Sequence, residues 1–146
     1  MISELRVRDL ATIADVTLTL GPGLNVLTGE TGAGKSMLVD ALALLLGERA
    51  AGASVRPGAA KTIVEGAFET IVGPTLRAVE SLGLDVEDGR VVVRREVSPE
   101  GRSRSMAASS GSDPRGPGTR VWMSRRAGSS ESKGFIPTFS PRGRGA

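Results

Sequence analysis

The stretch that decides the fold is Gly29-Glu30-Thr31-Gly32-Ala33-Gly34-Lys35-Ser36, which matches the pattern G-x-x-x-x-G-K-[ST] without a gap. Its glycines let the backbone curl so that successive N–H groups point inward, and a helix that begins near Gly34 adds the positive end of its dipole. In such a loop Lys35 reaches the β- and γ-phosphates of a nucleoside triphosphate, and the Ser36 hydroxyl ligates Mg²⁺. The stretch therefore predicts a site for a nucleoside triphosphate and Mg²⁺ that uses all eight residues, without saying which triphosphate. The alternative is a glycine-rich turn that matches by coincidence.

The flanks of the loop favour the phosphate site over the coincidence. The short apolar run Leu24–Thr28 precedes the loop and predicts a central strand buried on both faces. Residues Lys35–Leu46 follow with apolar side chains at helical spacing, and Gly47 stands where a left-handed residue ends a helix. Strand, loop and helix is the context that the motif requires.

The remaining patterns predict an α/β domain with a mixed sheet. Predicted strands cover Ile2–Val7, Val16–Leu20, Thr62–Phe68 and Val91–Val97, with a helix from Pro74 to Gly83 and a type I turn at Ser98–Gly101. A returning strand should begin near Arg102, but its pattern dissolves around Ser105. The hairpin is therefore expected to lose its second arm.

Composition excludes several classes of protein. The chain has 146 residues, 39% hydrophobic and 24% charged, with no Cys and no His, which excludes disulfides, the usual zinc sites and any Cys or His nucleophile. The longest apolar run, Ala41–Leu46, is far shorter than the ~20 residues that span a bilayer. We expect an intracellular, cytoplasmic protein without a membrane partner.

Charge and composition divide the chain in two. Residues 1–105 contain 12 Lys or Arg and 14 Asp or Glu. Residues 106–146 contain 7 Lys or Arg and 2 Asp or Glu, and 19 of these 41 residues are Gly, Pro or Ser. A segment of that kind cannot bury enough apolar surface to offset the entropy of ordering it. We therefore predict a folded unit over residues 1–105 and a disordered basic tail over residues 106–146.

The folded unit resembles a known family. The segments that carry the resemblance are Leu5–Ile13, Gly21–Ser36, Asp40–Leu42, Leu44–Ala50, Val55–Gly58, Val64–Phe68 and Glu100–Ser105. Together they are similar to the amino terminus of the RecN family of bacterial recombination and DNA-repair ATPases, which are related to the SMC proteins. The resemblance covers about 105 residues and extends well beyond the phosphate loop.

The resemblance implies a P-loop NTPase fold, specifically the N-terminal lobe of an ABC-type ATPase head built from both ends of a long chain. It implies ATP and Mg²⁺ as cofactors, with residues Gly29–Ser36 on the triphosphate and Ser36 on the metal. It also implies a head-to-head homodimer, DNA as partner in double-strand-break repair within the SOS response, and a nucleoid location.

Other parts of the family's catalytic machinery have no counterpart here. The chain contains no Gln to sense the metal, no switch His, no signature segment and no apolar strand ending in Asp-Glu. Fast hydrolysis requires such groups, so we expect nucleotide binding without turnover by this chain alone. The abrupt break near Ser105 is best interpreted as a frameshifted or truncated gene product.

Two other functions stay open: a free-standing small P-loop kinase and a non-catalytic basic DNA-binding protein. The tail could be a basic arm on DNA phosphates, although few aromatics accompany its arginines. Four further arginines, Arg94, Arg95, Arg102 and Arg104, are interpreted as a solvated strand edge, with contact to DNA as the alternative. Arg6 and Arg8 are expected to face solvent, or else to approach the nucleotide.

Overall fold

The computed structural model of the chain describes residues 1–30, 34–49, 55–69, 71–81, 83–84, 86, 89–109 and 120–122. Its elements are β1 (Ile2–Leu10), β2 (Ile13–Thr19), α1 (Lys35–Leu45), β3 (Thr62–Phe68), α2 (Gly73–Ser81), β4 (Val91–Val97), β5 (Ser103–Ser109) and β6 (Arg120–Trp122). The six strands form one sheet in the order β2-β1-β3-β4-β5-β6, and every neighbouring pair is antiparallel. The predicted α/β class is confirmed.

One face of the sheet packs against α1. Val7 lies directly opposite Val16 on β2 and Val64 on β3, so these three side chains share a face. They join the apolar stripe of α1 in a core whose buried members are Leu5, Val7, Leu10, Leu38, Ala41, Leu44, Leu45 and Val64. The apolar residues that alternate along the strands therefore pack against the apolar residues that recur about every 3.6 positions along the helix.

The end of α1 follows the sequence prediction. Gly47 has a φ of 107°, and its N–H donates to the Leu44 carbonyl at 3.1 Å. The Glu48 N–H donates to the Ala43 carbonyl at 3.0 Å. These two bonds form a Schellman motif, which needs a left-handed residue and so favours glycine at position 47.

The predicted central strand over Leu24–Thr28 is wrong. These residues belong to no strand, and Leu24 and Val26 are 90% and 70% exposed. A strand buried on both faces needs strands on both sides and layers above and below it. Among the described residues nothing supplies them, and the expected mixed sheet is antiparallel in this part of the chain.

The β4–β5 hairpin keeps its second arm, which corrects the expectation that the strand dissolves near Ser105. The Gly101 N–H donates to the Ser98 carbonyl at 2.9 Å, as in the predicted turn, and the two strands pair along their full length from Val91↔Ser109 to Val97↔Ser103. Met106 and Ala108 are buried, and Met106 also pairs with Val121 of β6. The strand was missed because Ser and Ala carry little strand signal on their own.

The face of the sheet that Glu65 shares with its neighbour Arg94 carries a network of charges. Arg94, only 2% exposed, donates to Glu65 and to Glu96, and Lys61 donates to Glu96 at 2.9 Å. Burial works against the charged form of Glu96, but hydrogen bonds from Lys61 and Arg94 outweigh it and lower the pKa of that carboxyl. The interpretation of Arg94 and Arg95 as a solvated edge is therefore wrong, whereas Arg102 and Arg104 are exposed as expected.

The structure offers no candidate membrane span, since no helix in its described part combines enough length with enough apolar character.

Candidate phosphate-binding site

The segment that leads into the loop is shaped by one asparagine. The Asn25 side chain accepts from the Gly21 N–H at 2.9 Å and donates to the carbonyls of Gly21 at 2.9 Å and Gly23 at 3.3 Å. These bonds close the turn between β2 and the loop, because a side-chain amide can replace backbone partners in a tight turn. The chain then runs to Gly29 and Glu30, where the candidate site begins.

The other side of the site is the first turn of α1. Gly34 precedes the helix in a left-handed conformation with a φ of 87°, no side chain caps the helix, and its first turn holds no acidic residue. The first N–H groups of a helix lack intrahelical acceptors and carry partial positive charge. This end of α1 therefore suits an anion, and the first turn itself adds no carboxylate.

Lys35 joins the two sides of the loop. Its Nζ donates to the Gly29 carbonyl and, at 2.7 Å, to the Glu30 carbonyl. The ammonium group is thus held across the mouth of the loop by neutral acceptors. Phosphate oxygens are charged acceptors and form stronger hydrogen bonds with an ammonium than carbonyls do. An incoming triphosphate can therefore replace these two bonds.

Ser36 is exposed in the first turn of α1, beside Lys35. Mg²⁺ in nucleotide sites keeps several waters and takes one or two protein oxygens together with phosphate oxygens. A single exposed hydroxyl next to an ammonium and uncapped amides fits that donor set. Within the described ranges no group of three or more acidic side chains provides a metal site of its own.

Of the eight predicted site residues, the structure describes five: Gly29, Glu30, Gly34, Lys35 and Ser36. It brings these five together around the start of α1. Thr31, Gly32 and Ala33 lie outside the described residues, and their part in the site stays a prediction.

The β1–β2 hairpin tip, residues 9–13, is a neighbour of the loop that sequence reasoning missed. The Thr12 hydroxyl donates to Met37 Sδ at 3.2 Å, and a Cβ built on Gly34 would meet Ile13 Cγ1 at 3.8 Å. Asp9 and Ala11 have left-handed φ values of 54° and 48°. Asp adopts this conformation more readily than most residues, but Ala rarely does, so nothing in the sequence indicates it at Ala11.

Arg6 and Arg8 are engaged away from the loop. Arg6 donates to Asp15 at 2.8 and 3.2 Å, and Arg8 lies 3.8 Å from the same carboxylate. The hydrogen bond from Arg6 lowers the pKa of Asp15. Both arginines thus pair across the β1–β2 hairpin, and Arg6 is partly exposed as expected, with 41% of its side chain accessible.

Comparison with known proteins places the chain in a family. Residues 4–122 match the family described as AAA domain. The DNA repair protein RecN of Bacillus subtilis is 44% identical over 104 residues, and that of Streptomyces coelicolor is 47% identical over 103 residues. These alignments cover 70% and 69% of this chain but 18% of each relative. The chain therefore spans less than a fifth of the curated relatives it matches.

Solved structures give the same fold. An SMC ATPase from a study of ATP-driven dimerization and DNA-stimulated activation superposes with a TM-score of 0.58 at 22% identity, over 77% of this chain and 72% of that one. The Smc head domain of Pyrococcus furiosus superposes with a TM-score of 0.60 at 22% identity, over 77% of this chain and 30% of that one. The chain therefore belongs to the AAA domain family, and it is a RecN-like chain with the fold of an SMC head ATPase.

Proposed function

We propose that the chain binds ATP with Mg²⁺ through Gly29–Ser36, as the ATP-binding N-terminal part of a RecN-like protein that repairs DNA double-strand breaks. The observation that carries the proposal is the position of Lys35, whose ammonium lies across the loop at the uncapped start of α1. The described residues supply a cation, free helix amides and a hydroxyl within one turn of helix. These are the groups that a triphosphate and its magnesium require.

The chemistry assigned to each group follows from its position. Lys35 exchanges its carbonyl acceptors for β- and γ-phosphate oxygens, and the first amides of α1 donate to the same phosphates. Ser36 contributes one oxygen to Mg²⁺, which when bound neutralises phosphate charge. Gly34 carries no Cβ, so its backbone conformation is unstrained next to the triphosphate.

The resemblance supports further proposals for the whole protein. They are a head-to-head homodimer with nucleotide between the heads, DNA as partner during the SOS response, and a location on the nucleoid. The exposed apolar side chains of Leu24, Val26, Val39 and Leu46 agree with a head in which a further layer covers α1 and the segment before the loop. An apolar helix is stable when both of its sides are buried.

The experiment that tests the proposal is a calorimetric titration of the 146-residue chain with ATP–Mg²⁺. Lys35→Ala should weaken binding about 10- to 100-fold, because it removes charge-assisted hydrogen bonds worth about 1.5–3 kcal/mol. Arg77→Ala is the matched control, since it removes one exposed cation from α2, outside the loop. Equal affinity of Lys35→Ala and the unmodified chain would refute the site.

We also propose that this chain binds ATP without turning it over. The sequence holds no Gln and no His, and it supplies no acidic strand end to activate water. The rate of phosphate release in the presence of the chain should therefore equal the rate in buffer that contains ATP but no protein. Steady release that disappears in Lys35→Ala would favour the free-standing small P-loop enzyme instead.

A further inference from the structure

Arg95 is a buried cation at the end of α1 opposite to the phosphate loop. It lies on β4 directly between Val64 of β3 and Ser105 of β5, so it occupies the face of the sheet that packs against α1. Its exposed fraction is 5%. Burial of a charged side chain in that position costs free energy unless hydrogen bonds or an opposite charge compensate it.

The compensation comes from α1 itself. Arg95 Nη1 donates to the carbonyl of Leu44 in the last turn of the helix, and Nη2 donates to the Ser103 hydroxyl at 3.2 Å. Nε has no acceptor, and within the described part of the chain no carboxylate forms an ion pair with Arg95. Burial accordingly lowers the pKa of the guanidinium. The partial negative charge at the C-terminal end of a helix is thus the main counter-charge that Arg95 has.

We infer that Arg95 is a positioning residue for the ATP site: it fixes the C-terminal end of α1 on the sheet and thereby sets where Lys35 and Ser36 stand at the other end. This inference rests on the proposed ATP binding. The helix contacts β1, β3 and β4, and its contacts on β1 and β3 are apolar and non-directional. The bond to Leu44 is directional, so it selects one orientation of the helix.

The length of α1 makes the orientation matter. Eleven residues span about 16 Å, so a tilt of about 5° at the Leu44 end displaces the Lys35 end by roughly 1.4 Å. Displacements of about 1 Å at a reacting or binding group have large effects, because hydrogen bonds depend steeply on distance and angle. The Arg95 guanidinium would then lie at the C-terminal end of α1, which carries partial negative charge. The triphosphate would lie at the N-terminal end, which carries partial positive charge.

The test compares ATP–Mg²⁺ affinities of full-length variants at a temperature where circular dichroism shows each to be folded. Arg95→Met removes the guanidinium donors and should weaken binding about tenfold. Arg95→Lys keeps the charge and a donor, and should stay within about threefold of the unmodified chain. Val91→Ala shortens a buried side chain of the same strand outside the α1 core, so it controls for lost stability and should bind normally.

The outcomes separate the two proposals. If the unmodified chain binds ATP and Lys35→Ala does not, but Arg95→Met binds as well as the unmodified chain, the positioning role is wrong and the ATP site stands. The role is also wrong if Val91→Ala, with a similar fall in melting temperature, loses as much affinity as Arg95→Met. If Lys35→Ala binds like the unmodified chain, the ATP site itself is wrong.

A second variant covers the case in which Arg95→Met does not fold. Ser103→Ala leaves the cation in place but removes the hydroxyl that accepts from Nη2, so the guanidinium is less well oriented towards Leu44. It should weaken ATP binding about threefold. Unchanged affinity of a folded Ser103→Ala would then overturn the role.

Discussion

Replacing Gly66 by alanine places a methyl group where α1 lies on β3. A Cβ built on Gly66 would collide with Leu45 Cδ2 and would lie 3.2 Å from Phe68 Cε2. Leu45 is buried, so its side chain cannot move aside freely. Overpacking of this kind costs about 1–3 kcal/mol. Alanine in a strand recovers about 0.5–1 kcal/mol relative to glycine. The net expected loss of unfolding free energy is therefore about 0–2.5 kcal/mol, with a middle value of about 1 kcal/mol.

Urea unfolding followed by circular dichroism measures this loss, and a double-mutant cycle with Leu45→Ala identifies its cause. Once Leu45 is shortened the collision disappears, so Gly66→Ala should then be neutral or slightly stabilising, with a coupling of about 1–3 kcal/mol. Gly21→Ala is the control, because a Cβ there meets only Asn25 Oδ1 at 3.9 Å. Additive effects of Gly66→Ala and Leu45→Ala would refute the reasoning.

Three further predictions concern the sheet and its turns. The pKa of Glu96 is lower in the folded chain than its ordinary value of 4.5. The ionised carboxylate therefore stabilises the fold fully above pH 4.5, and this stabilisation is lost as the pH falls through the pKa of the folded state. Glu96→Gln should flatten that part of the acid unfolding curve. Ala11→Gly should leave stability unchanged or raise it by up to about 1 kcal/mol by relieving a left-handed φ, whereas Ala43→Gly in α1 should lower it by about 1 kcal/mol; thermal melts that rank them the other way contradict this. A chain ending at Trp122 should melt like the full chain, whereas one ending at Ser105 loses the buried end of β5 and should be at least about 2 kcal/mol less stable; equal melting of the two would instead support the division at residue 105.

Local patterns predicted those elements whose apolar period and end signals lie in consecutive residues. β3 and β4 have the predicted bounds, and α1 ends one residue before the predicted Leu46, because period and helix stop are written in consecutive residues. Lys35 also contacts Gly29 and Glu30 across the loop, whereas phosphate binding by Gly29–Ser36 stays a prediction. A short motif can specify a site when all its groups belong to one loop and one helix turn.

The errors concern residues whose environment is set by distant parts of the chain. Leu24–Thr28 is apolar enough for a central strand, but a strand forms only where neighbouring strands pair with it. Arg94 and Arg95 look like surface charges in the sequence, and their burial depends on Glu65 across the sheet and on the Leu44 carbonyl of α1. The disorder predicted for the tail stays a prediction outside residues 106–109 and 120–122, which are in strands.

The central claim is that the loop from Gly29 to Ser36 holds the triphosphate of ATP, and amide NMR spectra of the ¹⁵N-labelled chain test it most directly. Adding ATP–Mg²⁺ should shift the amide signals of this loop and of the first turn of α1, while those of the β4–β5 turn at Ser98–Gly101 stay in place. Inorganic phosphate at the same concentration should shift the same amides much less. Shifts confined to other parts of the chain, or no shifts at saturating ATP, would contradict the account.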